Sequence, residues 1–179
     1  VQRPPHRPAK GHSLVNRKES EIPRNWRAVT GQHAIQELLA RFPKNIEVAY
    51  LKQGWSDSED LLLLEKSLRR LNIKVEEKSV QSLEKISNSH QGAILFASRQ
   101  PEANWEKLVK KDQSVVVLLD GIEDPHNLGA IARTSWLLQV DVIVTPQDRA
   151  VGLTPVVHKV ACGGVEHEKI KKVIEIDKK

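Results

Sequence analysis

Residues 115–135 constrain the fold more than any other stretch of this chain. Val115, Val116, Val117, Leu118 and Leu119 form an apolar, mostly β-branched run that stops at Asp120-Gly121. A loop rich in Asp, Pro and Asn follows, and an apolar helical pattern then runs over Leu128–Leu138. An apolar run closed by turn residues and followed by helical spacing predicts strand–loop–helix. Asp141–Thr145 predicts a second strand, so the unit reads βαβ with a right-handed crossover. In open α/β sheets, ligands sit beyond the carboxyl ends of strands. The loop after Leu119 is therefore the first place to look for chemistry.

The preceding residues alternate helix and strand. Ala34, Ile35, Leu38, Leu39 and Phe42 recur at helical spacing behind Thr30, the expected N-cap, and Pro43 ends the helix. Ile46–Leu51 predicts a strand. Ser56-Asp57-Ser58 predicts the cap of a helix with Leu61, Leu64, Leu68 and Leu71 on one face. Ile73–Glu76 predicts a strand, Val80–Ile86 a short helix after Ser79, and Gly92–Ala97 a buried strand. The expected division is a disordered basic tail over 1–28, a compact α/β unit over 29–98, a linker over 99–113 and a second unit over 114–179. Within the linker a short helical turn is expected at Asn104–Lys110.

Composition narrows the function classes. The 179 residues allow one large domain or two small ones. Aromatics are only 4% against 39% hydrophobic residues, so Leu, Ile, Val and Ala must build the core. The single cysteine, Cys162, excludes an internal disulfide framework and suits the reducing cytoplasm. No apolar run approaches the roughly 18 residues of a membrane span. The net charge of +5 lies entirely in residues 1–27, where seven basic side chains face Glu19 and Glu21. Such a tail can bind nucleic-acid phosphates by releasing counterions. The chain has no Met, even at position 1, which points to a chain without its natural start.

Asn127, Gly129, Arg133 and Thr134 follow the strand directly. Asn127 alone reads as a helix cap. Gly129 falls in the first helical turn, where propensity disfavours it, so a close approach of backbone or ligand is expected there. Arg133 carries a fork that suits a phosphate. Lys159–His167 reads as a Gly-containing loop in which Gly163 and Gly164 admit a close ligand and Glu166 can hold an arginine or a hydroxyl. Arg149, after a strand end, is placed to reach RNA. His158, Cys162 and His167 lack the paired-cysteine spacing of structural zinc, so no metal is expected. No G-x-G-x-x-G lies between Asp120 and Gly129, which removes a dinucleotide-binding fingerprint.

The run N-x-G-x-x-x-R-T, filled by Asn127, Gly129, Arg133 and Thr134, resembles the first motif of the SpoU (TrmH-like) RNA ribose 2′-O-methyltransferases. Val29–Ala40 (VTGQHAIQELLA) resembles the opening of the L30e-like domain in the subgroup that acts on guanosine in 23S rRNA. Gly163, Gly164 and Glu166 resemble the second motif. The resemblance implies an α/β fold: a small L30e-like N-terminal domain, then a truncated α/β-knot, Rossmann-like parallel-sheet methyltransferase domain. It implies methyl transfer from S-adenosylmethionine to a ribose 2′-hydroxyl. Asn127, Arg133 and Glu166 are the catalytic candidates, with Arg133 as general base. Arg133, Arg149 and Gly129 are the RNA-binding candidates. Physical chemistry favours Arg133 as a phosphate anchor, because a guanidinium rarely gives up its proton. The family's last, knotted motif supplies the cofactor pocket and most of a homodimer interface. Nothing after His167 matches it, so the alternative expectation is a truncated, non-catalytic RNA-binding module that takes no cofactor.

Overall fold

The computed structural model describes residues 22–23, 25–98, 114–146 and 149–167. The expected disorder of 1–21, the helical turn at Asn104–Lys110 and the Lys-rich end after His167 lie outside them. The first lobe is a three-layer α/β/α sandwich. Its elements are β1 (Trp26–Val29), α1 (Gln32–Arg41), β2 (Ile46–Lys52), α2 (Glu59–Arg70), β3 (Lys74–Lys78), α3 (Val80–Glu84) and β4 (Ala93–Ser98). The sheet order is β1-β4-β2-β3, with β4 antiparallel to both neighbours and β2 parallel to β3.

Strand alternation sorts the side chains into two cores. Val29, Ala49, Leu51, Ala93, Leu95 and Ala97 face α1 and α2, where they meet Ile35, Leu38, Leu61 and Leu68. Ala28, Val48, Ile94 and Phe96 face the other way and meet Leu83 of α3. Ile46 breaks the alternation by joining the first core. A register shift between Ile46 and Val48 turns it to that side. β4 is buried on both faces, as its unbroken apolar run requires.

Several local expectations meet a different outcome. Trp26–Ala28, expected in the tail, pair with Phe96–Ser98 as β1. Thr30 makes no cap. Gly31 holds that position at φ 92°, and the buried Thr30 hydroxyl donates instead to the Pro155 carbonyl at 3.1 Å. Ser79 does cap α3, its hydroxyl accepting from the Ser82 amide at 3.2 Å.

The second lobe is the βαβ unit, extended by one helix. β5 (Val116–Leu118) and β6 (Val142–Val144) pair in parallel, and α4 (Pro125–Leu137) crosses between them. α5 (Pro155–Ala161) packs against α4, and its last three residues, Lys159–Ala161, fall where a Gly-containing loop is expected. Thr154 caps it by accepting from the Val157 amide at 3.4 Å, with Pro155 at the first position. A 3₁₀ turn, Gly164–Glu166, follows. Leu119, Leu128, Ala132, Ile143, Val157, Ala161 and Val165 form this lobe's core.

Candidate functional site

The site is built on the end of β5 and the start of α4. Leu119 continues the pairing by donating to the Val144 carbonyl at 2.7 Å. The chain then turns at Gly121, φ 67°, and Val151 donates to the Ile122 carbonyl at 2.9 Å, tying the two loops together. Asp124, not Asn127, is the N-cap of α4: its carboxylate accepts from the His126 amide at 2.9 Å. Pro125 takes the first helical position, where its missing N–H costs nothing. Asn127 therefore lies inside the first turn.

α4 divides into two sides. Leu128, Gly129, Ala132 and Ser135 are buried. His126, Asn127, Ala130, Arg133, Thr134 and Leu137 are exposed, forming one solvent stripe. Asn127 and Arg133 sit on opposite margins of that stripe, about 120° apart around the axis and about 9 Å apart along it by ideal helix geometry. Neither has a hydrogen-bond or ion-pair partner among the described residues. They do not touch, though both open to solvent on the same stripe of the helix. Arg149 is also exposed, in a left-handed conformation at φ 58°.

The other candidates are enclosed. A Cβ on Gly129 would fall 2.6 Å from the Val160 Cβ and 3.1 Å from the Val157 carbonyl oxygen. The close approach expected at this glycine is thus that of α5, and no RNA reaches it directly. Gly163, φ 91°, lies against Glu37 and the His33 carbonyl of α1, and Gly164 against Ala132 and the Arg133 backbone. Helices, not a ligand, occupy the space these glycines leave.

Glu166 is fully buried, and its carboxylate is already engaged. Arg27 Nη1 and Nη2 donate to Oε1 and Oε2 at 2.5 and 2.6 Å, a bidentate pair across 139 residues of sequence. His158 Nδ1 lies 2.9 Å from the same Oε1. Neither nitrogen of the buried His158 ring has a well-aligned hydrogen bond within the described residues. Burial pushes the Glu166 carboxyl up, and the His158 and Arg27 contacts outweigh it, holding the pKa at about 2. The carboxylate does hold an arginine, but it is Arg27 and not Arg133. Arg27 and the helix around His158 were missed by sequence reasoning. Thr154-Pro155, a cap followed by a first-position proline, was the available signal for the helix.

A cavity of about 300 Å³ opens between α1 and α2, bordered by Gln36, Leu39, Asp60, Leu64, His90 and Gln91 among others. Neither Asn127 nor Arg133 lines it. No group of three or more His, Cys, Asp or Glu among the described residues could hold a metal ion. No helix among them is long and apolar enough to cross a membrane.

Residues 114–178 match the SpoU rRNA Methylase family. Residues 28–103 match the RNA 2′-O ribose methyltransferase substrate binding family. The 23S rRNA (guanosine-2′-O-)-methyltransferase RlmB of Coxiella burnetii is 36% identical over 146 residues, covering 78% of this chain and 58% of that protein. The RlmB of Neisseria meningitidis serogroup B is 35% identical over 147 residues, covering 79% and 58%. The chain thus spans less than two thirds of the length of these curated relatives. Among solved structures, the SpoU methyltransferase AviRb from Streptomyces viridochromogenes, in complex with AdoMet, superposes with a TM-score of 0.68 at 14% identity. That match covers 90% of this chain and 60% of AviRb. A crystal structure of an RNA 2′-O ribose methyltransferase gives 0.66 at 21% identity, covering 92% and 65%. At that identity the likeness is one of α/β fold.

Proposed function

This chain belongs to the SpoU rRNA methylase family, and from that premise we propose that it serves an S-adenosylmethionine-dependent RNA ribose 2′-O-methyltransferase. The substrate we infer is a guanosine of 23S rRNA, as in the RlmB relatives named above. One observation carries the reading: Asn127, Arg133 and Thr134 share the exposed stripe of α4, the helix that follows the loop at the carboxyl end of β5. Arg133 anchors a backbone phosphate of the RNA with its fork. Its charge favours the ribose 2′-oxyanion as the hydroxyl loses its proton. Asn127, at the other margin, orients the ribose.

S-adenosylmethionine supplies the methyl group when bound. The described cavity lies away from Arg133, so no cofactor-holding residue is assigned. The cytoplasm is the compartment we infer, in keeping with the lone Cys162. A homodimer is the assembly we infer, supported by the exposed Leu118, Leu137 and Leu138.

The test is Arg133→Ala, assayed by transfer of labelled methyl to a 23S rRNA fragment. Removing a charge that acts on the developing oxyanion should cost about 100-fold in kcat or more. Stability should be unchanged, because the side chain is exposed. Near-parental turnover would remove Arg133 from the chemistry. Calorimetric titration with S-adenosylmethionine separates the other reading. RNA binding without any cofactor heat would mark a non-catalytic RNA-binding module.

A further inference from the structure

We propose that Arg27 and Glu166 are positioning residues that set the RNA-holding first lobe in register with Arg133. The proposal rests on the function inferred above for Arg133. Its geometry stands on the junction between the lobes. A buried ion pair is weak evidence for stability, since apolar residues of similar volume often do as well. A bidentate fork, however, is satisfied at only one relative orientation of its two carriers. Here those carriers are β1 of the first lobe and the 3₁₀ turn of the second.

That turn reaches the arginine within two residues. Gly164 has no side chain, and an added Cβ would stand 3.1 Å from the Ala132 oxygen and 3.2 Å from the Cα of Arg133 itself. On another side, Gly163 lies against Glu37 of α1. The segment Gly163–Glu166 is therefore a wedge between the backbone that carries Arg133 and two elements of the first lobe. Flanking contacts repeat the link. Thr30 donates to Pro155. Arg41 Nη2 donates to His167 Nε2 at 3.0 Å, and the His167 ring stacks on Trp136 of α4 at 4.4 Å between centroids. The first lobe cannot rotate without dragging α4 or breaking the fork.

The experiment measures lobe geometry and catalysis separately. Spin labels go on cysteines replacing the exposed Lys66 of α2 and Gln139 after α4, with Cys162→Ala removing the native thiol. Double electron–electron resonance then gives the distance between the lobes. Arg27→Lys keeps the charge and loses the fork; Glu166→Gln keeps the shape and loses the charge. Both should broaden a single narrow distribution. An unchanged distribution in both variants would overturn the proposal, whatever the fate of the proposed activity. In methyl-transfer assays, Arg27→Lys should lower kcat by about 100-fold, the scale of a 1 Å misplacement, with KM changed by less than about threefold. A broadened distribution with parental kcat would overturn the positioning role and leave the pair merely structural.

Discussion

Gly129→Ala sets two effects of opposite sign against each other. On propensity alone, alanine in a helix interior is favoured over glycine by about 1 kcal/mol. The packing says otherwise. The new Cβ would stand 2.6 Å from the Val160 Cβ and 2.9 Å from its Cγ1. Apolar carbons prefer about 3.5–4.0 Å, so the shortfall is about 1 Å. No rotation of Val160 relieves it, because a Cβ is fixed by its own backbone and only Cγ1 can swing away. Relief requires α4 and α5 to separate, and these helices share the core of Leu128, Ala132, Val157 and Ala161. Overpacking of this kind costs about 1–3 kcal/mol, and more when the clash is with an immovable atom. We take about 3 kcal/mol, which leaves a net loss of about 2 kcal/mol after the propensity gain. For a chain of this size the fall in Tm is about 4–8 °C. Thermal unfolding followed by far-ultraviolet circular dichroism measures it. Ala130→Gly, at the exposed neighbouring position, calibrates propensity without packing. A Gly129→Ala variant as stable as the parent, or more so, would refute the claim that this glycine exists to admit α5.

Two further perturbations test the electrostatics and the cap. Glu166 has its carboxyl pKa lowered from 4.5 to about 2, so its stabilisation is complete above about pH 4.5 and drains away as pH falls toward 2. The full contribution is about 3 kcal/mol, of which about 2 should be gone by about pH 3. Denaturant unfolding at about pH 6 and about pH 3 should show that extra acid sensitivity in the parent and not in Glu166→Gln; equal acid sensitivity would place the relevant carboxylate elsewhere. Asp124→Ala removes the bond to the His126 amide and should cost about 1 kcal/mol, read from the urea midpoint at constant m. No change would mean that Pro125 and core packing alone start α4.

What the sequence made legible was whatever is decided within a few residues. The leucines of α2 at 61 and 68, the doubly buried run of β4 and the Ser79 cap all follow from periodicity and local hydrogen bonding. Thr30 shows where that logic ends. It has the right residue type in the right place, yet a carbonyl 125 residues away takes its hydroxyl, and Gly31 becomes the cap. Asn127 was displaced by a nearer competitor: Asp124-Pro125 pairs a capping carboxylate with a first-position proline, a stronger start signal three residues earlier. α5 has only seven residues and runs straight into Cys162 and Gly163, both in left-handed conformation, so its last three residues read as the start of a glycine loop. Gly129 announced a close approach but could not say of what. That Glu166 could hold an arginine was legible, but that the arginine is Arg27 was not, because no local rule joins residues 139 apart.

The residues that matter most on α4 are therefore of two kinds, and they divide by side. The solvent side carries the groups proposed to act on RNA: Asn127, Arg133 and Thr134. The buried side carries groups whose virtue is smallness, Gly129 and Ala132, which let α5 and the Gly164–Glu166 turn come against the helix backbone. A sequence motif does not distinguish the two, since N-x-G-x-x-x-R-T spells both in one line. Physically they fail differently. Loss of an exposed group should change chemistry at constant stability. Loss of a small buried residue should lower stability and, through the wedge that links Arg133 to Arg27, change chemistry as well. Glu166 belongs with the second kind although it is ionised, because it lies at the centre of that wedge with both oxygens committed. A carboxylate so placed has both oxygens committed to Arg27, and under the proposed function the proton transfer falls to the open side of the helix.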